Sequence, residues 1–133
     1  MKKVLILMLT IFTFTSFSQS GNWENIAEIE GVIIDKTIIE CGVNELITFR
    51  FSNLNSYNVS VTFYEESWVD GICKQDGVSE ESFRVLSLKS NEIISGSCSF
   101  MNSFYIGNKI KRGSRVMTLT SFSLNNISVE IEK

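Results

Sequence analysis

Six carboxylates lie within one short stretch of the chain, and side chains of this type can bind metals or transfer protons. They are Glu65, Glu66, Asp70, Asp76, Glu80 and Glu81. Hard cations such as calcium bind oxygen ligands, but the spacing matches no calcium-binding loop. Two suitably separated carboxylates can also cleave a glycosidic bond, although one short domain leaves little room for a cleft. We therefore expect a solvated acidic rim at one end of the fold.

Two aromatic residues, Tyr64 and Trp68, stand beside this acidic stretch. Exposed aromatic rings next to carboxylates suit the binding of sugars or peptides, so both residues are candidate ligand contacts. Strand alternation directs Tyr64 away from the face that holds Phe63. Because large aromatic side chains are usually mostly buried, we expect Trp68 to fold back over the edge of the core.

Three cysteines, Cys41, Cys73 and Cys98, allow one disulfide and one thiol in an oxidising compartment. Loop entropy does not choose the pairing, since a Cys41–Cys98 bridge would be favoured over Cys73–Cys98 by only about 0.7 kcal/mol. We predict Cys73 with Cys98, because both stand in glycine-containing loops. Cys41 then remains unpaired. Since Ile38 and Ile39 precede it and no histidine can activate it, we expect Cys41 to be a small buried hydrophobe.

The chain contains no histidine. This absence removes the side chain whose ordinary pKa lies nearest neutrality and the commonest ligand of catalytic metals. Ser-His-Asp, Cys-His and histidine–metal mechanisms are therefore excluded. With no recognisable catalytic constellation, we predict a protein that is not an enzyme and that holds no cofactor or metal.

The first residues have the pattern of a signal peptide. Lys2 and Lys3 precede an apolar run that starts at Val4. That run is well short of the roughly 20 residues needed to cross a membrane. We therefore expect export rather than a permanent membrane anchor.

Small residues mark the expected cleavage point. Ser16 and Ser18 suit the two small-residue pockets of a signal peptidase, which predicts a signal peptide over residues 1–18 and a single domain over residues 19–133. No cysteine follows closely, so no lipid anchor is expected. The mature domain is predicted to be periplasmic or extracellular, with no membrane span.

Signal cleavage would leave an acidic domain. Loss of Lys2 and Lys3 leaves 10 basic against 15 acidic side chains, a net charge of −5, so a nucleic acid would be repelled. The local exception is a group of four basic residues: Lys109, Lys111, Arg112 and Arg115. Such a charge run is more typical of a solvated loop than of a phosphate site. We predict no nucleic-acid partner.

Period-two alternation dominates the domain that must position these residues. Ile47, Phe49 and Phe51 fall on one face, and Thr48 and Arg50 fall on the other, which is the pattern of a half-buried strand. The segment over residues 57–64 repeats this alternation after a polar connector, and the two segments predict a hairpin.

Further strands are expected at residues 31–34, 37–41, 83–88, 100–106 and 116–133. Apolar positions of the last segment change parity twice, which predicts bulges or turns near Ser121 and at Asn125-Asn126. No clean helical stripe is present, so we expect little helix. Seven or eight short strands predict an all-β, immunoglobulin-like two-sheet sandwich, with a small β-barrel as the alternative. The label describes architecture only, since Trp68 and the cysteines do not match true immunoglobulin positions.

Three segments carry a resemblance to a known group of proteins: NVSVTFYEESWVDGIC at residues 58–73, ISGSC at 94–98 and LTSFSLNNISVEI at 119–131. The chain resembles an uncharacterised family of small exported β-rich proteins from flavobacteria-like Gram-negative bacteria. The resemblance implies export, a β-fold and the loops around Cys73 and Cys98. It assigns no functional residue, because the family has no established activity. The chain shows no C-terminal sorting domain of the kind such bacteria append to exported cargo, which favours the periplasm.

Three functions are compatible with these observations. The first is a non-enzymatic binding or structural module whose sheet edges and end loops contact another envelope or extracellular protein. The second is a secreted glycan- or calcium-binding module that uses Tyr64, Trp68 and the acidic stretch. The third is a small hydrolase with paired carboxylates, which would need a deep pocket lined by them. The sequence favours the first.

Overall fold

The computed structural model describes residues 22–98 and 104–133. The predicted signal peptide over residues 1–18 and its cleavage point lie outside the described residues, as does most of the strand predicted over residues 100–106. The described residues form nine strands and one short 3-10 turn, with no α-helix. The strands are β1 (Glu24–Ile29), β2 (Val32–Cys41), β3 (Asn44–Asn53), β4 (Val59–Val69), β5 (Ile72–Asp76), β6 (Phe83–Leu88), β7 (Ile93–Ser95), β8 (Tyr105–Arg112) and β9 (Arg115–Ile131). The predicted all-β fold is confirmed.

The strands form one antiparallel sheet that curls back on itself. Its hydrogen-bonded order is β1-β2-β3-β8-β9-β4-β5, with β6 also paired to β4 and β7 to β3. The long strand β9 pairs with β8 over residues 115–118 and with β4 over residues 119–131. The curled sheet therefore has two halves. Layer A contains β1, β2, β3, β7 and β8, and layer B contains β4, β5, β6 and most of β9.

The hydrophobic core lies between the two layers. Phe51 of β3 is fully buried and stacks on Phe63 of β4, with ring centroids 5.9 Å apart. Phe49 of β3 meets Phe122 of β9 edge-on at 5.8 Å. The described strands β3 and β4 do not pair with each other, so the hairpin predicted between them is wrong. Their rings, and that of Phe122, meet across the space between the two layers, which therefore pack face to face.

Ile47, Phe49 and Phe51 share the face that meets layer B, as predicted. The strand is not half-buried, however, since Leu46 and Thr48 on its opposite face are fully buried as well.

Two bulges in β9 accommodate the parity changes seen in its sequence. At the first, Asn126 and Ile127 together oppose the single residue Phe63 of β4. Asn126 has a φ of 51°, in the left-handed region that asparagine tolerates better than most residues. At the second, Thr120 is the additional residue. The irregularities predicted near Ser121 and at Asn125-Asn126 are therefore confirmed.

The structure contains more strands than the sequence predicted. Strands β1, β5 and β7 were not expected, and the strands predicted at residues 31–34 and 37–41 are one continuous strand, β2. β1 and β5 are short edge strands rich in polar residues, so apolar alternation does not mark them. Cys73, expected in a loop, lies in β5.

The disulfide joins Cys41 to Cys98, with the two Cα atoms 5.4 Å apart. The predicted Cys73–Cys98 pairing is therefore wrong, and so is the assignment of Cys41 as the unpaired thiol. The free cysteine is Cys73, which is exposed. The topology explains the difference. The β2–β3 hairpin and the chain after β7 both belong to layer A, where Cys98 Sγ lies 3.5 Å from the carbonyl oxygen of Glu40, whereas Cys73 lies in layer B.

A polar cluster on the outer face of layer A ties the start of the described chain to the sheet. Arg50 donates from Nε and Nη2 to Oδ2 of Asp35, at 3.1 and 2.6 Å, and Asn25 donates to Oδ1 of Asp35 at 3.2 Å. The guanidinium lies 4.5 Å from the centre of the Trp23 ring, a cation–π distance. These groups satisfy one another, so we assign the cluster a structural role.

Candidate functional site

A groove, which we call the seam, lies between layer B and the start of β8. Glu65 of β4 and Tyr105 of β8 stand at its middle, because both line the two cavities found there. A cavity of about 180 Å³ lies beside β6. A more open cavity of about 320 Å³ lies beside β5 and β8.

Strand alternation directs Glu65 into the seam. Val61 and Phe63 are buried against the core, and Glu65, two residues further along β4, faces the same way. This inward carboxylate is the functional candidate that sequence reasoning missed, since it grouped Glu65 with a solvated acidic rim. The sequence signal that could have found it is the spacing of two residues between Phe63 and Glu65, which places both side chains on the same face of the strand.

Arg84 of β6 neutralises Glu65 from the facing strand. Its Nε atom lies 3.3 Å from Oε2 of Glu65. Its Nη1 atom donates to the carbonyl oxygens of Glu81 and Phe83, at 2.7 and 3.1 Å. The guanidinium is therefore held by three acceptors at the rim of the smaller cavity.

Glu65 occupies a partly dehydrated position, with its side chain 17% exposed. Burial raises the pKa of Glu65, while the charge and the hydrogen bond of Arg84 act in the opposite direction. A carboxylate that combines a raised pKa with a cavity is a candidate binding or catalytic group. We therefore regard the seam as the leading functional site.

The walls of the smaller cavity are mostly apolar. Phe49 and Phe63 come from the two layers, Leu86 from β6, and Phe104 from the residue before β8. Glu65 and Arg84 supply the charged groups of the lining. An apolar interior with a few placed polar groups is the usual composition of a ligand pocket.

The two aromatic candidates lie elsewhere, on the outer face of layer B. Tyr64 points away from the core, as predicted, and its ring centroid lies 5.0 Å from that of Phe83. Trp68 is 37% exposed, and its Nε1 donates to Oε1 of Glu66 at 2.9 Å. Trp68 is four positions after Tyr64 and therefore lies on the same, outer face of the strand. The expectation that Trp68 folds back over the edge of the core is wrong. Four positions along the strand separate the Cα atoms of the two residues by about 13 Å.

Glu66 lies between these two residues in β4, and both of its carboxylate oxygens accept hydrogen bonds. Besides Trp68, its partners are Asn125 Nδ2 at 3.1 Å and Ser123 Oγ at 3.4 Å, both donating to Oε2. The hydrogen bonds from Trp68 and Asn125 lower the pKa of Glu66. The outer face therefore offers two rings but little free hydrogen-bonding capacity at its centre.

Asp76, the cross-strand neighbour of Glu66, closes its own loop. Its Oδ1 accepts the backbone N–H groups of Ser79 and Val78 at 2.9 and 3.0 Å, and the hydroxyls of Ser82 and Ser79 at 2.8 Å each. These hydrogen bonds hold the pKa of Asp76 well below its usual range. Glu66 and Asp76 both favour the ionised form. This pair therefore lacks the raised-pKa acid that a glycosidase needs.

Replacing Asp76 with asparagine is expected to lower the melting temperature at neutral pH. The depressed pKa means that the charge of Asp76 stabilises the fold fully above the unfolded value of 3.8, and that this stability is lost as pH falls toward the folded value. The difference in Tm between wild type and D76N should therefore shrink as the pH is lowered from neutral to about 2. Calorimetry across this range measures it.

The matched control is Glu80→Gln, which removes a nearby exposed carboxylate and none of the hydrogen bonds to Asp76. A Tm difference for D76N that stays constant down to the lowest pH would show that the charge of Asp76 does not stabilise the loop.

The remaining charged candidates are exposed. Asp70 accepts the backbone N–H of Thr118 at 3.0 Å and pairs with Arg115 at 3.3 Å, and Lys109 pairs with Glu45 at 3.6 Å. The four basic residues predicted to form a solvated loop are exposed, but they lie in strands β8 and β9, on either side of the hairpin turn. Over residues 22–98 and 104–133, no three His, Cys, Asp or Glu side chains form a group that could hold a metal ion.

Within the same ranges, no helix is long and apolar enough to cross a membrane. Comparisons with models of known families, with curated proteins and with solved structures find no match to this chain.

Proposed function

We propose that this chain is an exported, non-enzymatic binding module that accepts a β-strand from another protein of the cell envelope at the free edge of β6. The observation that carries this proposal is the pairing of β6. Among the described residues it pairs with β4 alone, so the other edge of its backbone has no strand partner. Unpaired N–H and C=O groups along an edge are a template for strand addition.

The other edge strands carry the features that normally prevent such pairing. β1 contains two glutamates and a bulge, and β5 has a register irregularity and exposes Lys74 and Asp76. β7 has only three residues. β6 is regular over six residues and its single charged residue is Arg84. β9 pairs with β4 alone over residues 119–131, and its two bulges interrupt that edge. Charges, bulges and shortness protect edges, so β6 is the least protected of these edges.

An inward-facing charge such as that of Arg84 can itself discourage strand addition, because a partner would bury it unpaired. Here the guanidinium already has Glu65 and two backbone carbonyl groups as acceptors. A strand added to β6 would cover a neutralised pair instead of a free charge.

The outer face beside β6 also favours a protein partner. Phe83 and Val85 are 40% and 61% exposed, and an added strand would cover both with its outward side chains. A glycan on the same face would have to compete for Glu66 with the hydrogen bonds from Trp68, Asn125 and Ser123. This surface therefore suits an added protein strand better than a glycan.

Two features support export. The Cys41–Cys98 disulfide suits an oxidising compartment. The amino-terminal sequence has the charged and apolar regions of a signal peptide. We place the module in the periplasm or outside the cell.

The test is binding of a synthetic strand. The probe is a peptide of about nine residues, with lysine at each end, threonine and valine alternating between them, and phenylalanine at the centre. Titration into isotope-labelled protein should shift the backbone amide signals of β6 most strongly. Two further peptides carry N-methyl groups on alternate backbone nitrogens, in opposite phases. The peptide methylated on the nitrogens that face β6 should lose binding, because N-methylation removes the hydrogen-bond donor. The peptide methylated on the nitrogens that face away from β6 should still bind.

A protein variant provides the second arm. Val85→Lys places a charge on the edge and should weaken peptide binding about tenfold. The matched control is Val43→Lys, since Val43 is a similarly exposed valine in the β2–β3 turn. Equal binding by both N-methylated peptides would refute strand addition. A dimer that Val85→Lys abolishes would show that a second copy of this chain occupies the edge, and would overturn the proposal of a different partner.

A further inference from the structure

The smaller cavity of the seam opens directly beside the edge of β6. Its lining includes Arg84, Val85 and Leu86 on one side and Phe104 on the other, with Phe49 and Phe63 beneath. We infer that this cavity receives one large apolar side chain of the added strand. The inference rests on the proposed function, and it names the feature that the partner strand must have.

The size of the cavity fits one such side chain. Its volume is about 180 Å³, and an apolar cavity of roughly 150 Å³ is known to hold a benzene ring. A phenylalanine or leucine side chain therefore fills the space, whereas alanine leaves most of it empty. A void of that kind forfeits the contacts that its lining would make.

The geometry of a paired strand directs the side chain inward. Residues opposite each other in an antiparallel pair point to the same face of the sheet. Leu86 is buried and faces the core, so the residue of the added strand that pairs with Leu86 also faces the space between the layers. Its neighbours on either side point outward, where Val85 is exposed. The partner strand is thus expected to alternate, with its key residue opposite Leu86.

The charges at the cavity select against an ionised side chain. Glu65 and Arg84 already neutralise each other, so a further charge would enter an apolar space without a partner. The side chain that enters the cavity is therefore apolar and neither acidic nor basic.

The experiment compares three peptides that differ only at the centre. The first is the phenylalanine peptide described above, and the others carry alanine or aspartate at that position. Burial of the phenyl ring should make the phenylalanine peptide bind at least about tenfold more tightly than the alanine peptide, with the aspartate peptide weakest. Methyl-bearing and aromatic side-chain signals of Leu86, Phe63 and Phe104 should shift only with the phenylalanine peptide.

A protein variant checks that the cavity itself makes the selection. Phe104→Ala enlarges the cavity, so a peptide with central tryptophan should gain affinity relative to the phenylalanine peptide. Backbone amide spectra show whether the variant keeps the fold. If it does not, Phe104→Leu provides a smaller enlargement with the same expected direction.

The outcomes separate the two proposals. Equal affinity of the phenylalanine and alanine peptides, with amide shifts still centred on β6, would overturn the cavity inference and leave strand addition standing. Absence of binding by every peptide would overturn both. Both proposals are supported if affinity falls in the order phenylalanine, alanine, aspartate peptide and if the tryptophan peptide gains affinity in the variant with the enlarged cavity.

Discussion

Replacement of Cys41 by serine is expected to lower the free energy of unfolding by about 4 kcal/mol, because the disulfide it forms closes a long loop. The bridge joins residues 57 positions apart in sequence. Without it, the unfolded chain regains the conformational freedom that the cross-link removes. Denaturant unfolding of the wild type and of C41S, each purified under oxidising conditions, measures the difference.

Cys73→Ser is the matched control. Cys73 is exposed and free, so its replacement should change the free energy of unfolding by less than about 0.5 kcal/mol. Cys98→Ser should match C41S, since either change opens the same bridge. Adding a reductant should lower the free energy of unfolding of the wild type to that of C41S and leave the value for C41S unchanged. A large loss in C73S with little loss in C41S would restore the pairing that the sequence favoured.

The disulfide shows where sequence reasoning stops. Loop entropy differs little between the possible bridges, and local context favoured Cys73 because glycine lies near it. The decisive fact is the layer to which each cysteine belongs, and layer membership depends on strand order. Strand order depends on contacts between residues far apart in sequence, and local residue patterns do not show it. The number of cysteines therefore predicted one disulfide, and the fold determines which two cysteines form it.

Side-chain parity was the most reliable sequence signal. It identified the inward face of β3 and both bulges in β9, because a buried face constrains every second residue. The same rule placed Tyr64 correctly on the outer face. It failed for β1 and β5, whose short polar sequences bury little apolar surface and are held chiefly by pairing with a longer neighbour.

The candidate site was only partly predictable, and Glu65 shows why. Its parity pointed inward, but five other carboxylates nearby favoured a solvated acidic rim. The identity of its partner was not visible either, since Arg84 lies on a different strand and meets Glu65 only after β6 pairs with β4. The edge position of β6 also follows from the topology, since among residues 22–98 and 104–133 this strand pairs with β4 alone.

Phe51→Ala is the second change expected to have a large effect. Phe51 is fully buried, and its ring lies 5.9 Å from that of Phe63 and 5.7 Å from that of Phe104. Removing it deletes buried apolar surface and leaves a void between the layers, which typically costs about 3–5 kcal/mol for phenylalanine. A domain of this size has a total stability of only about 5–15 kcal/mol, so the variant should unfold at much lower denaturant concentration.

Phe83→Ala is the control, because Phe83 lies outside the core and is 40% exposed. Its loss should cost about 1 kcal/mol, the scale of one partly exposed aromatic pair. Similar losses in the two variants would contradict a core centred between β3 and β4. The comparison also bears on the seam, because Phe104 packs against Phe51 on one side and lines the smaller cavity on the other. The same ring thus joins the stability of the core to the shape of the proposed binding site, and a partner side chain that fills the cavity should also stabilise the fold.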